Sequence, residues 1–192
     1  QIAERTGYKH IFYSPSLEIN FMRRTAQMGL CILSKEPFVS THNFFVRDDF
    51  KDNFDFIEDD YNNRNVQHVE LTHNEKALHI LNYHGHHVKE HKNGNEETMR
   101  QCGLIVEYMK NLDGNKVLCG DLNLSPESES VKLIETITEN LVTASGAETT
   151  RNSYTPKAEV CDYIFTSPEL SIKEFKVLDD VVSDHQALTV EL

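Results

Sequence analysis

The apolar residues of this chain come in short runs, and each run stops on a polar or charged residue before it reaches the length of an ordinary helix. KHIFYSP, MGLCILSK, THNFFV, NVQHVEL, KALHILNYH, KVLC, CDYIFTS and HQALTVEL are separated by Pro, Lys, acidic or turn-forming segments. They predict many short strands. NVQHVEL and KALHILNYH, joined through THNE, read as a hairpin whose second strand ends at His84. Helical spacing appears from about Glu96, where Met99, Cys102, Val106, Met109 and Leu112 share one stripe, and again near Ser130 to Ile137. QIAERTGY reads as the last turns of a helix stopped at Gly7. Helix followed by strand recurs, so the expected class is α/β. Residues 48–60 carry seven acidic groups and one Lys and are expected to be a solvated loop.

A length of 192 residues with 39% hydrophobic and 26% charged suits one globular domain, expected over residues 1–192. The formal net charge of −12 opposes nonspecific binding to phosphate backbones, so nucleic acid is a partner that charge does not favour. A mean hydropathy of −0.50 goes with the lack of any apolar run long enough to span a bilayer. Cys31, Cys102, Cys119 and Cys161 sit in or beside apolar runs without a CxxC pair, and are expected to be reduced core thiols in a cytoplasmic protein.

The chemistry-bearing residues lie where the apolar runs begin or end. Asp121 and Asn123 follow KVLCG; two residues apart in extended chain, they point to one side, where a carboxylate can deprotonate a water and a carboxamide can donate to an oxyanion. The same pair reads equally well as Asx-turn or helix-cap chemistry. Asp162 opens DYIFTS, and Asp184-His185 opens the last strand. An Asp facing a His fixes its tautomer, while a second Asp stays free for a metal; Asp162 alone also reads as a buried strand-start carboxylate satisfying backbone donors. In NYHGHHVKEH, His84 is expected to donate to a substrate oxygen, with His86, His87 and His91 as exposed loop residues; a histidine-rich zinc site lacks acidic or Cys ligands at tetrahedral spacing. Arg23, Arg24 and Arg151 are candidates for phosphate contacts, against the ordinary surface role of arginine. Walker, dinucleotide, GxSxG and HExxH signatures are all missing from the sequence.

The ordered set GLCILSK, NYHGHH, GDLNLSP, CDYIFTS and SDHQAL resembles the endonuclease/exonuclease/phosphatase superfamily of DNase I-like, metal-dependent phosphoesterases, from about residue 7 to 192. The resemblance implies a four-layer α/β sandwich, in which two packed and mostly antiparallel sheets are flanked by helices. It implies a phosphate-ester substrate, mono- or diester, hydrolysed by in-line attack of an activated water, with Mg2+ as cofactor and Mn2+ as the alternative. Asp121 and Asn123 would position the water and the phosphate, and Asp162 would pair with His185. Asp184, with Asp121, would belong to the metal environment; His84 would contact a phosphate oxygen or the leaving group. A catalytically silent binding scaffold and a nuclease are the alternatives. Family members also carry an Asn and a metal-binding Glu on strands before the helix that leads to Gly7-Tyr8. The N-terminal strands are therefore expected to be missing from these 192 residues, and the segment alone is expected to be weak or inactive. Glu4, inside the helix, is not read as that ligand.

Overall fold

The computed structural model describes residues 2–21, 24–55, 57–60 and 62–192. Arg23, one of the arginines expected to contact phosphate, lies outside the described residues. The elements in chain order are α1 (Ile2–Thr6), β1 (His10–Phe21), β2 (Arg24–Ser34), β3 (Ser40–Arg47), β4 (Arg64–His73), β5 (Lys76–Tyr83), α2 (Glu96–Lys110), β6 (Asn115–Asp121), α3 (Glu129–Glu135), β7 (Glu139–Asn140), α4 (Leu141–Ser145), β8 (Asp162–Thr166), β9 (Glu174–Val177) and β10 (Leu188–Glu191).

A six-stranded sheet runs in the order β3-β4-β5-β6-β8-β7. Its pairings are antiparallel except β5 with β6, which are parallel because α2 carries the chain back across the sheet between them. Two smaller antiparallel sheets, β1-β2 and β9-β10, complete a mixed α/β fold of the expected class. Side-chain alternation separates the two faces of the large sheet. Val66, Leu81, Tyr83, Leu118, Tyr163 and Phe165 pack with Cys102, Ile105, Val106 and Met109 of α2 and Val131 and Ile134 of α3. Leu78, Val117 and Ile164 face the other way, toward Phe175, Leu188 and Val190 of the β9-β10 hairpin. On that second face the β1-β2 hairpin is held by amides: Gln67, fully buried, donates to the Phe12 carbonyl at 2.6 Å and the Ser14 hydroxyl at 3.1 Å.

α2 begins at Glu96 because Asn95 caps it, its side chain accepting from Thr98 N while the Thr98 hydroxyl accepts from Asn95 N. Three expectations need correction. The first strand does not close at Pro15 but continues to Phe21, with the register shifting between Pro15 and Leu17, a bulge that an edge strand tolerates. Cys31 is exposed rather than in the core, since β2 belongs to a two-stranded sheet with little cover. The strand before the histidine-rich loop ends at Tyr83, one residue earlier than read.

Candidate active site

The ends of β5 and β6 and the start of β8 meet at one edge of the large sheet, and glycine makes the approach close enough. Gly120, at φ +138°, lies where a Cβ would stand 2.0 Å from the Tyr83 carbonyl oxygen; a Cβ on Gly85 would meet the Leu122 oxygen at 2.2 Å. Gly85 N donates to the Asp121 carbonyl at 2.7 Å, tying the loop after β5 to the end of β6. Across the antiparallel pair, Asp121 is the register partner of Asp162. Burial and then the facing Asp162 carboxylate raise the pKa of Asp121 above the ordinary carboxylate range, against the lowering pull of the Asn123 amide, His185 and Arg151.

Asp121 divides its two oxygens between structure and the site. Oδ1 accepts from Asn123 N at 2.8 Å, closing an Asx-turn that holds Asn123 at φ 55°, a left-handed conformation Asn adopts more readily than most residues. Oδ2 faces His185 Nε2 at 3.8 Å and His84 Nε2 at 4.0 Å. The turn reading and the chemical reading of this residue are therefore compatible. His185 Nδ1 lies 2.9 Å from both Asp162 oxygens, so its N–H donates there and Nε2 is turned toward Asp121. Asp162 is itself held by the Thr150 hydroxyl at 2.7 Å and the Cys161 thiol at 3.3 Å.

Arg151 is buried opposite His185 through an isolated β-bridge. Its Nη1 donates to Asp184 Oδ2 at 2.9 Å and to His185 Nε2, while its Nε, shielded from solvent, has no hydrogen-bond partner among the described residues. Asp184 is half-exposed at 52%. His84, with 43% of its side chain exposed, is nonetheless pushed down to about 4, first by desolvation and then by Arg64, so it is neutral near pH 7.

Asp121, Cys161, Asp162 and His185 each offer a ligand atom within 4.8 Å of the others. As a metal cage that group is poor, because burial raises the Cys161 thiol far above its ordinary range and both Asp162 oxygens already accept from His185. Asp121 Oδ2 and Asp184 Oδ1 accept no hydrogen bond among the described residues and are of the ligand type a hard cation takes, though Asp184 lies outside that 4.8 Å group. Sequence reading brought Asp121, Asn123, Asp162, Asp184, His185, His84 and Arg151 forward, and all lie at this edge. It placed His86 wrongly: the ring is 8% exposed, because Arg47 Nη1 donates to its Nδ1 at 2.7 Å. It missed Arg64, which holds the Gly85 carbonyl at 2.8 Å, and Lys92, whose Nζ donates to Asn123 Oδ1 at 2.7 Å. Neither belongs to a motif, so only the folded chain reveals them.

The model of the Endonuclease/Exonuclease/phosphatase family matches residues 2–185. None of the curated proteins matches the sequence. Among solved structures, an endonuclease/exonuclease/phosphatase from Bacteroides vulgatus superposes with a TM-score of 0.72 at 16% identity, covering 99% of this chain and 79% of that one. A mannosyl-6-phosphatase of Bacteroides thetaiotaomicron gives 0.68 at 16% identity over 94% and 76%. TDP2 of D. rerio, complexed with single-strand DNA product, gives 0.67 at 15% identity over 98% and 78%. At these identities the likeness is one of fold.

Proposed function

Because the chain belongs to the endonuclease/exonuclease/phosphatase family, we propose that it is a divalent-metal-dependent phosphoesterase that cleaves a phosphate ester by in-line attack of water. The observation that carries the reading is Asp121 Oδ2 standing 3.8 Å from the Nε2 of a histidine whose other nitrogen is locked on Asp162. A scaffold would have no use for a half-free, pKa-raised carboxylate aimed at an oriented imidazole.

In this reading Asp121 Oδ2 takes the proton of the attacking water. The Asn123 carboxamide and the guanidinium of Arg151, whose Nη1 lies beside His185 and Asp184, hold phosphoryl oxygens. Asp162 keeps His185 in the tautomer that presents Nε2 to the reacting centre. His84 meets a phosphate oxygen or the leaving group as a neutral hydrogen-bonding ring. Asp184 with Asp121 would hold Mg2+, or Mn2+ in its place, and when bound such a cation offsets the charge on the phosphoryl oxygens. The four cysteines are free thiols, which supports a reducing, cytoplasmic setting. No helix among the described residues is long and apolar enough to cross a membrane.

The test is a turnover screen of the full-length protein with Mg2+ over phosphomonoesters, phosphodiesters, phospholipids and abasic DNA, repeated in EDTA. Release of phosphate or alcohol from at least one class, abolished by chelation, is expected. Turnover undiminished in EDTA contradicts the reading.

A further inference from the structure

Lys92 lies on no motif, yet it is the residue that grips the Asn123 carboxamide. The loop after β5 leaves the site at His84, and its main chain returns to it at Lys92, whose carbonyl accepts from Ser125 N at 2.7 Å. The ammonium then reaches Asn123 Oδ1 at 2.7 Å. Asn123 is 5% exposed, and its Nδ2 donates to the Gly85 carbonyl at 3.3 Å. An ammonium has only protons to give, so its bond to Oδ1 fixes which end of the amide is which. That leaves the second Nδ2 proton as the donor the side chain can offer to the site. Drawing electron density toward Oδ1 also makes that N–H a stronger donor.

We propose that Lys92 is a positioning residue for phosphoester hydrolysis: by locking and polarising the Asn123 carboxamide, it holds the Nδ2 donor in register with the phosphoryl oxygen. The proposal rests on the phosphoesterase reading. It is strengthened by the charge around the loop. In a chain of net charge −12, the ring of His87 is held below its ordinary range by desolvation and then by Lys92, Lys157, Arg64 and Lys89. The neighbouring His86 meets a mixture, Arg47 and Arg64 against Asp60 and Glu97. The cations are thus gathered on the Lys92 side, where they also favour an anionic substrate.

The experiment compares Lys92→Met, Lys92→Arg and Asp121→Asn with wild type, all in the full-length protein, using p-nitrophenyl phosphate and bis(p-nitrophenyl) phosphate with Mg2+, together with the Asn123 side-chain amide signals in NMR spectra. Lys92→Met is expected to lower kcat roughly tenfold to a hundredfold while KM moves less than about threefold. It is also expected to shift the Asn123 Nδ2 protons without lowering Tm, and Lys92→Arg is expected to restore most of the rate. Wild-type kcat in Lys92→Met beside a dead Asp121→Asn would overturn the role of Lys92 alone. An equal loss in Lys92→Arg and Lys92→Met would do the same, as would unmoved Asn123 signals, whatever the turnover. Wild-type rates in both Lys92→Met and Asp121→Asn would instead overturn the phosphoesterase reading.

Discussion

In the proposed reading Asp121 serves local geometry and chemistry together. Its Oδ1 shapes the turn that presents Asn123, and its Oδ2 takes the water proton. A proton acceptor works only when ionised, and burial beside Asp162 raises the pKa of this one. In the metal-free chain the Asp121 carboxyl is therefore expected to take up its proton at a higher pH than an ordinary carboxylate, about 4. Its side-chain carboxyl NMR signal, followed through an acid titration without metal, checks this, and a transition at or below that value would contradict it. At this scale the sequence was informative wherever a polar residue interrupts an apolar run, as at Asp121, Asp162 and His185. It was silent on Arg47, Arg64 and Lys92, whose roles come from partners 39, 21 and 31 positions away. His86 is buried by such a partner, and no local pattern announces that.

Elements were legible when they were long or strongly periodic. The β4-β5 hairpin, α2, β6 and β8 follow from their apolar spacing, while β7 and β9, of two and four residues, are too short to show a period. β1 was cut short because Pro15 looks like a stop, although Leu17, Ile19 and Phe21 beyond it alternate with polar residues. Contacts between elements make two expectations. Gly120→Ala sets a Cβ against the Tyr83 oxygen in a backbone conformation that side chains disfavour. It is expected to cost about 1–3 kcal/mol in urea unfolding; unchanged stability would mean that β5 and β6 are not so closely apposed.

The second concerns the join between α2 and the sheet. His68 Nδ1 meets the Tyr108 hydroxyl of α2 at 2.8 Å, its Nε2 meets His79 Nδ1 at 3.0 Å, and His79 Nε2 reaches the Asp113 carbonyl at 2.7 Å. Desolvation, then His79 and His42, push His68 down to about 4, against the weaker raising pull of Glu70. The unfolded chain takes up this proton at about pH 6.5. Stability from His68 is therefore complete above that pH and is lost as pH falls toward 4, by up to about 3 kcal/mol. Denaturant midpoints measured from pH 7 to 4.5 in wild type and His68→Gln should show a steeper fall in wild type. Parallel curves would exclude His68 as the cause.

In the whole molecule, an acidic chain gathers a half-buried pair of carboxylates, an oriented histidine and several cations at one edge of a large sheet, with helices on one face and hairpins on the other. The family and the mixed α/β architecture were readable from five motifs in order, because each motif sits where an apolar strand run begins or ends. The arrangement at that edge was not readable, since it depends on the close approach of three strands and two loops. The central claim is that Asp121 is the group that takes the water proton in a metal-dependent hydrolysis. The measurement that tests it most directly is kcat of Asp121→Ala beside wild type on the preferred phosphoester with Mg2+, with Tm followed in parallel. A loss of about 10²–10⁴-fold in kcat with Tm close to wild type is expected. A near wild-type kcat, or a loss that merely tracks a collapse in Tm, would contradict it.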